Sequence, residues 1–328
     1  MPPVTIMPRA ALTDAAFLQL HQTHIGGSAI AAICGVHPFK SRLAVWLEMT
    51  GREGAVFAPT RRMQLGLRLE APLMQEFQRR TGLVVRPATT IYAAAHERRF
   101  IATPDGAYGS PSRLGTEGIY EGKVSTRLAE WDAGPVPEAY CQVQWYMGIL
   151  ELAEATLCCL PNTHENLEHI LSGQWDDVPL YTYTVERDDV LIATLFDEAA
   201  AFLDLVARDT PPIDDTTPRR DLQRLYPTDT GGTQEGGGAL ANLVAQHASA
   251  ALQLKAAEAA KETVETQIMA LLGEYSYGTV WGERVVSWKA HSREHLDIKR
   301  LKLDHPELAG RYTTTQTVRP LRVMSQKG

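Results

Sequence analysis

The spacing of apolar residues predicts a chain in which helices alternate with short strands. Helical periodicity predicts four helices in the first two thirds of the chain: Leu43–Met49, Met63–Thr81, Glu138–Ala155 and Asp188–Ala207. Shorter β-like runs predict strands between them: Leu83–Arg86, Thr90–Ala93, Arg99–Ala107, Gly118–Ser125, Thr156–Pro161 and Leu180–Glu186. This order of elements indicates an α/β or α+β core.

A Gly-rich segment separates this core from a smaller extension. The stretch Pro227–Gly238 has the composition of a linker. Beyond it, an Ala-rich helix is predicted over Ala239–Leu272, and Tyr275–Trp288 alternates like a hairpin that turns near Trp281-Gly282. We therefore predict a core over residues 1–212, a linker over 213–238, and a helix-plus-hairpin extension over 239–328.

Composition favours a cytoplasmic globular protein. The chain has 328 residues, of which 44% are hydrophobic, enough for a sizeable core. No apolar run reaches membrane-spanning length, and the first 20 residues lack the features of a secretory signal. The four cysteines form no CxxC pair, so we expect reduced thiols.

The formal net charge of −7 argues against a uniformly basic DNA-binding protein, but the charge is distributed unevenly along the chain. Between Val36 and Phe100, eleven Lys and Arg face five Glu, a net of +6. Between Leu128 and Asp215, eighteen acids face two Arg, a net of −16. Such polarity is compatible with a basic surface for phosphates, or with scattered solvent-exposed faces.

The candidate chemistry lies in the segment from Pro104 to Ser125. Alternate side chains of a strand share a face, so Glu121 and Lys123 are expected side by side. Asp105 would approach both if the preceding strand pairs antiparallel. Two carboxylates can hold Mg²⁺ beside a scissile phosphate, with Lys123 acting on the water or the transition state. An exposed Asp–Lys–Glu salt-bridge cluster is the alternative.

Polar residues elsewhere are candidates for the same site. Gln142 and Tyr146 are four residues apart, on one face of an otherwise apolar helix. Glu70 lies in an apolar helical stretch, as a third acid or a solvent-exposed one. Ser28 is expected to be the N-cap of a helix, a phosphate seat or simply a capped end.

These segments together resemble the YqaJ-type viral recombinase family, the lambda-exonuclease branch of the PD-(D/E)XK nuclease superfamily. Over roughly residues 17–150, the resemblance is carried by five segments in the family's order: IGGSAIAAICGVHPFKS, GLRLEAPLMQEFQRRTG, ATPDGAYG, YEGKVS and VPEAYCQVQWYM. It implies a restriction-endonuclease-like α/β (α+β) core, with a central mixed sheet flanked by helices.

The resemblance also implies site roles. The metal ligands are expected to be Asp105 and Glu121, with Mg²⁺ as the cofactor and Mn²⁺ able to substitute. The remaining catalytic positions fall on Lys123, Glu70 and Gln142, although the spacing from Pro137 also leaves Gln144 open. Residues assigned to DNA or its 5′-phosphate are Ser28, His21, Arg61, Arg62, Arg68 and Tyr146, and Arg79 and Arg80 are added as channel-lining residues. The family's arginine is replaced by His21 and its aspartate by Ala29, so dependence on a 5′-phosphate does not follow.

The activity implied is 5′→3′ degradation of one strand of linear duplex DNA, leaving a 3′ tail for phage-type recombination in a bacterial host. Implied partners are duplex DNA ends, a single-strand annealing protein and two further copies of the chain in a trimeric ring. A nicking or restriction-type endonuclease and a non-catalytic DNA-binding protein of the same fold are the alternatives. No GxxxxGK[ST] motif occurs, which excludes a P-loop ATPase.

Overall fold

The computed structural model describes residues 3–8, 19–20, 22–52, 60–109, 117–315 and 318–324. Two compact units divide the chain, Met1–Leu225 and Tyr226–Gly328. Within the described part of the chain, none of the helices combines the length and apolarity needed to span a membrane.

The first unit combines short strands with helices in alternation. Its described strands are β1 (Val4–Pro8), β2 (Val85–Pro87), β3 (Thr90–Ala93), β4 (Ile101–Ala102), β5 (Gly106–Tyr108), β6 (Gly118–Ser125), β7 (Glu154–Pro161) and β8 (Tyr181–Glu186). Its described α-helices are α1 (Gly27–Ile33), α2 (Arg42–Met49), α3 (Arg61–Thr81), α4 (Leu128–Asp132), α5 (Pro137–Leu150), α6 (His164–Leu171), α7 (Asp189–Ala207) and α8 (Arg219–Leu225).

The central sheet is mixed, with strand order β2-β5-β6-β7-β8. Strands β6 and β7 run parallel over their full length, and every other neighbouring pair is antiparallel. A smaller antiparallel sheet has the order β1-β3-β4. The predicted fold class, a central mixed sheet flanked by helices, is confirmed.

The central sheet is covered on both faces, which explains why β7 is buried almost throughout. Alternation along β6 sends Ile119 to the larger core, which includes buried residues of α5. Tyr120 points the other way, into a smaller core where its ring lies 5.0 Å from that of Phe77 on α3. The sheet is therefore sandwiched between α3 and α5.

Helix ends follow local capping chemistry. The hydroxyl of Thr60 accepts the Met63 amide at the start of α3, and Gly82 ends that helix with a φ of 72°. Pro137 occupies the first turn of α5, one residue before the helix start predicted at Glu138. The prediction that this helix continues to Ala155 is wrong. It ends at Leu150, where Glu151 adopts a left-handed φ of 56°, because the following residues pair as β7.

The single strand predicted over Arg99–Ala107 is also wrong. Residues Ile101–Ala102 pair with β3, whereas Gly106–Tyr108 pairs with β2 and β6. The break falls at Thr103-Pro104-Asp105, where proline has no amide proton for a strand ladder. Asp105 therefore stands between two sheets.

The domain boundaries of the sequence analysis stay a prediction. The first compact unit extends to Leu225, and α8 lies within the segment expected to be a linker. The carboxylate of Asp221 on α8 is fully buried and accepts a 2.7 Å hydrogen bond from Ser41, the N-cap of α2. A buried charge anchored in this way ties α8 to the first unit.

The second unit is built around one long helix, α9 (Gly237–Leu272). A hairpin follows, formed by β9 (Tyr277–Val280) and β10 (Glu283–Ser287), and then two short helices, α10 (Ile298–Asp304) and α11 (Pro306–Arg311). The predicted hairpin turn at Trp281-Gly282 is confirmed.

Burial of the cysteines leads to a first prediction. Cys158 and Cys159 are fully buried in β7, and burial raises the pKa of the Cys159 thiol to about 12 and that of Cys158 to about 11. Because only the thiolate reacts, Ellman's reagent at about pH 8 should label neither cysteine in the folded chain within minutes. Unfolding in denaturant should expose all four thiols. Rapid labelling of both without denaturant would contradict the placement of β7.

Candidate active site

Strand β6 places a glutamate and a lysine on one face of the sheet. Glu121 and Lys123 both point toward α5, because they are two residues apart in an extended strand. Glu121 is 3% exposed, whereas the Lys123 side chain is 28% exposed. The Lys123 ammonium lies 2.8 Å from Glu121 Oε1. The pair is thus buried at its acidic end and open at its basic end.

Asp105 joins this pair from the neighbouring strand. It immediately precedes β5, which is antiparallel to β6, as the sequence analysis required. The Gly122 amide donates a 2.8 Å hydrogen bond to Asp105 Oδ2, and the Asp105 amide lies 3.4 Å from Glu121 Oε2. Two carboxylates therefore converge at one point of the sheet.

Gln142 completes a ring of contacts from α5. Its Nε2 donates to Glu121 Oε1 at 2.6 Å, and its Oε1 accepts from Lys123 Nζ at 2.8 Å. Gln144 lies elsewhere: its amide donates to the Glu186 carbonyl at 2.7 Å and accepts from the Asp188 amide at 2.9 Å. Of the two glutamines left open, the structure brings Gln142 into the cluster.

Tyr146, one helical turn after Gln142, holds this glutamine by a hydrogen bond. The Gln142 Nε2 donates to the Tyr146 hydroxyl at 3.1 Å, and the Thr103 hydroxyl lies 3.5 Å from the same oxygen. Tyr146 is 2% exposed, so it orients Gln142 and offers no surface to DNA in this chain. A Cβ on Gly27 would lie 2.5 Å from Tyr146 Cε1 and 2.9 Å from Gln142 Cγ, so only glycine fits there.

Burial and mutual charge set the protonation of the cluster. Burial raises the pKa of Glu121, the Asp105 carboxylate raises it further, and Lys123 opposes both. Burial disfavours charge on Lys123, but the carboxylates of Glu121 and Asp105 outweigh it and raise the pKa of Lys123. The two carboxylates therefore hold Lys123 as an ammonium.

A cleft of about 360 Å³ opens beside the cluster. Lys123 and Gln142 form part of its wall, together with Ser28 and Arg62. Arg127 also lines it, pairs with Glu130 and Glu138, and lies 5.6 Å from the Phe39 ring. The exposed end of Lys123 thus faces a space bordered by cations.

Other residues of the sequence analysis have different positions. Ser28 was expected to cap its helix, but α1 begins at Gly27 with Gly26 as the N-cap, so that prediction is wrong. Glu70 is partly buried on α3, one turn before Leu73, whose Cδ2 would lie 3.4 Å from a Cβ on Gly122. His21 lies outside the described residues.

The arginines of α3 fall into two groups. Arg61, Arg62 and Arg68 are exposed near its start. Arg79 and Arg80 instead bind the buried Glu76 at 2.8 Å and 2.5 Å, and Arg80 also donates to the Val178 carbonyl. The last two anchor the helix end to the segment after α6, which their sequence positions alone did not indicate.

The carboxylates suit a hard divalent cation. The described part of the chain contains no group of three or more His, Cys, Asp or Glu that could hold a metal. Mg²⁺ requires fewer protein ligands, since one or two carboxylates suffice when water and substrate phosphate supply the rest. Glu121 is buried, and the neighbouring Asp105 carboxylate raises its pKa, so a bound cation would stabilise the ionised form of this carboxylate. The residues present fit Mg²⁺ or Mn²⁺.

Three contributors were missed by the sequence analysis. Gly27 leaves no room for a side chain beside Tyr146, the Thr103 hydroxyl lies 3.5 Å from the Tyr146 hydroxyl, and Arg127 lines the cleft. Thr103 and Arg127 lie within a few residues of Asp105 and Lys123, which is the signal that could have suggested them. Gly27 is recognisable only once α1 and α5 are seen in contact.

Known proteins are similar to this chain. Residues 16–156 match the YqaJ-like viral recombinase domain. An uncharacterised protein YqaJ of Bacillus subtilis (strain 168) is 24% identical over 293 residues, which cover 87% of this chain and 86% of the relative.

Solved structures resemble the chain more distantly. An alkaline exonuclease, LHK-Exo, from Laribacter hongkongensis is 21% identical and has a TM-score of 0.47, over 59% of this chain and 92% of that one. The same enzyme with dAMP is 23% identical with a TM-score of 0.48, over 60% and 94%. A phage-related exonuclease from Haemophilus somnus 129PT is 19% identical with a TM-score of 0.43, over 58% and 97%.

Proposed function

We propose that the protein is a metal-dependent deoxyribonuclease that trims one strand from the ends of duplex DNA, in keeping with the match of residues 16–156 to the YqaJ-like viral recombinase domain. The observation that carries the proposal is the contact ring of Glu121, Lys123 and Gln142, with Asp105 beside it, on the wall of a cleft. A salt-bridge cluster that served only stability would not need a buried glutamate beside a second carboxylate and a glutamine held in place by a buried tyrosine.

Asp105 and Glu121 would hold the metal, Mg²⁺ or Mn²⁺, and Glu70 on α3 is proposed as a further acid. The ion, when bound, supplies Lewis acidity toward the scissile phosphate and neutralises charge that develops on it. Its positive charge would also compensate the two carboxylates and return the pKa of Glu121 toward an ordinary value.

Lys123 is the group that meets the substrate. Since its pKa is raised, it remains an ammonium at neutral pH, and its exposed end can donate to a phosphate oxygen or to the attacking water. Charge stabilisation of the transition state is therefore favoured over proton abstraction. Gln142 fixes the ammonium and the Glu121 carboxylate relative to each other, and Tyr146 fixes Gln142.

The wider role is recombination. Removal of one strand from 5′ to 3′ would leave a 3′ single-stranded tail, the substrate of a strand-annealing partner. We further propose that three copies of the chain form a ring around the duplex. These details are supported by the match to the YqaJ-like viral recombinase domain and by the basic residues near the start of α3.

The test is a Mg²⁺-dependence assay with two substrates. One is linear duplex DNA labelled at its 5′ or its 3′ end, and the other is covalently closed plasmid. Metal-dependent release of the 5′ label first, with the plasmid intact, supports an end-trimming exonuclease. Plasmid cutting would indicate an endonuclease, and tight duplex binding without cleavage in any divalent metal would refute nuclease activity. Comparing 5′-phosphate with 5′-hydroxyl ends tests whether cleavage depends on the 5′-phosphate that Ser28 and His21 are proposed to bind.

Arg62 provides a separate prediction about DNA affinity. It lines the cleft and is exposed, so it can contact a backbone phosphate. Arg62→Gln should weaken duplex binding in EDTA and lower the slope of log affinity against log salt by about one. Arg208→Gln is the control, because that side chain is 76% exposed beside Asp204 on α7. Equal slopes for the two variants would remove Arg62 from the DNA-binding surface.

A further inference from the structure

The hairpin of the second unit has one packed face and one open face. Leu272, at the end of α9, is buried, and its Cδ2 would lie 3.1 Å from a Cβ on Gly278. Val286 pairs with Gly278 on the opposite strand, so this face is turned toward the helix end. Tyr277 and Thr279 alternate with Gly278 and therefore belong to the other face.

On the open face, two cationic side chains lie over one aromatic ring. The Arg284 guanidinium carbon lies 4.3 Å from the centre of the Tyr277 ring, and the Lys289 ammonium lies 4.5 Å from it. The ring quadrupole holds these like charges together. No ion pair between either cation and a carboxylate occurs in the described part of the unit, where the ion pairs lie on α9, on α10 and at His305. The two cations are available to an anion.

Exposed indole rings accompany these cations. Trp281 at the hairpin tip is 100% exposed, with a φ of 50°, and the next residue, Gly282, has a φ of 88°. Asn or Asp would suit the first position of such a turn with less backbone strain than a bulky aromatic residue. Trp288, which follows β10, is 46% exposed. A strained and fully exposed indole has no packing role that would account for it.

The charge of the surrounding sequence has the same sign. From Arg284 to the C terminus, ten Lys and Arg face four Asp and Glu, a net of +6. This contrasts with the net of −16 between Leu128 and Asp215. A polyanion would therefore be attracted to the part of the chain that carries the hairpin.

We propose that this hairpin binds single-stranded DNA. Arg284 and Lys289 would hold backbone phosphates, and Trp281 would stack on an unpaired base. Unpaired bases are required, because bases inside a duplex already stack on each other and expose only their edges. The binding does not require catalysis, but the choice of DNA, as the strand left by trimming, rests on the proposed function.

The experiment measures binding by the full chain in EDTA, so that no cleavage occurs. The probes are a fluorescent oligothymidylate of about 20 nucleotides, a blunt duplex of similar length and an oligouridylate. Trp281→Ala should lower affinity for the oligothymidylate about tenfold while changing duplex affinity less than about twofold. Arg284→Gln combined with Lys289→Gln should lower it as much and reduce its salt dependence by about two charges.

The matched control removes two charges from the same unit. Lys255→Gln combined with Lys261→Gln alters exposed positions on α9 and should leave single-strand affinity within about twofold. Unchanged affinity after Trp281→Ala would overturn the proposal, as would an equal loss for single strand and duplex. Equal binding of oligouridylate would support the stacking site and broaden its ligand to RNA. Since Trp281 is fully exposed, circular dichroism should show unaltered folding.

Failure of this inference is distinguishable from failure of the proposed function. A chain that cleaves DNA ends but loses no single-strand affinity in the hairpin variants refutes only the hairpin site. A chain that shows the hairpin-dependent affinity but never cleaves refutes only the nuclease.

Discussion

Replacing Lys123 with alanine is expected to lower the rate of DNA cleavage by about 10³-fold, with duplex affinity in EDTA changed by less than about threefold. The ammonium is the only cation within the ring formed with Glu121 and Gln142, as far as the described residues show, and its exposed end faces the cleft. Its loss removes charge stabilisation at the phosphate, whereas most of the binding surface remains.

Lys40→Ala is a control for the loss of a similarly exposed lysine. The Lys40 side chain is 29% exposed and lies 2.6 Å from Glu48, compared with 28% and 2.8 Å for Lys123 and Glu121. Both substitutions therefore remove a half-buried lysine from an ion pair, but Lys40 does not line the cleft. Single-turnover rates should fall only for Lys123→Ala. Cleavage within about tenfold of the unaltered chain would exclude Lys123 from catalysis.

Gly27→Ala is expected to reduce both stability and cleavage. The added methyl group would lie 2.5 Å from Tyr146 Cε1, and Tyr146 is too buried to move aside freely. Overpacking of this kind costs about 1–3 kcal/mol in the free energy of unfolding. Because the shift is passed to Gln142 through the 3.1 Å hydrogen bond, the cleavage rate should fall by about tenfold or more.

Gly66→Ala supplies the opposite result with the same chemical change. Gly66 lies inside α3, and among the described residues no heavy atom beyond its chain neighbours and the backbone of its own helix lies within 4 Å of the position that a Cβ would occupy. Alanine favours helix by about 0.5–1 kcal/mol relative to glycine, so this variant should be more stable and equally active. The measurement is the free energy of unfolding in urea, monitored by near-ultraviolet circular dichroism. A Gly27→Ala variant as stable as Gly66→Ala would show that α1 does not contact α5 as described.

Within single elements, the sequence was sufficient to predict much of the site. The two-residue period of β6 placed Glu121 and Lys123 on one face, and the four-residue interval in α5 brought Gln142 over Tyr146. The turn at Trp281-Gly282 was likewise predicted from local alternation and a glycine. These relations depend only on backbone geometry over a few residues.

Relations between elements could not be predicted in this way. Gln142 and Gln144 are the same residue type, two positions apart on α5. Only the contact of α5 with β6 distinguishes the one that reaches Lys123. From the sequence, Arg79 and Arg80 were expected to line a channel for DNA. In the structure both pair with Glu76, which is buried.

The end of α5 was decided by tertiary pairing. Ala-containing sequence after Leu150 favours more helix, but residues Glu154–Pro161 pair with β6 throughout and with β8 as far as Cys159. The sequence by itself therefore determined which side chains share a face of each element. The tertiary structure decided which faces meet, because that depends on burial and long-range hydrogen bonding summed over residues far apart in the chain.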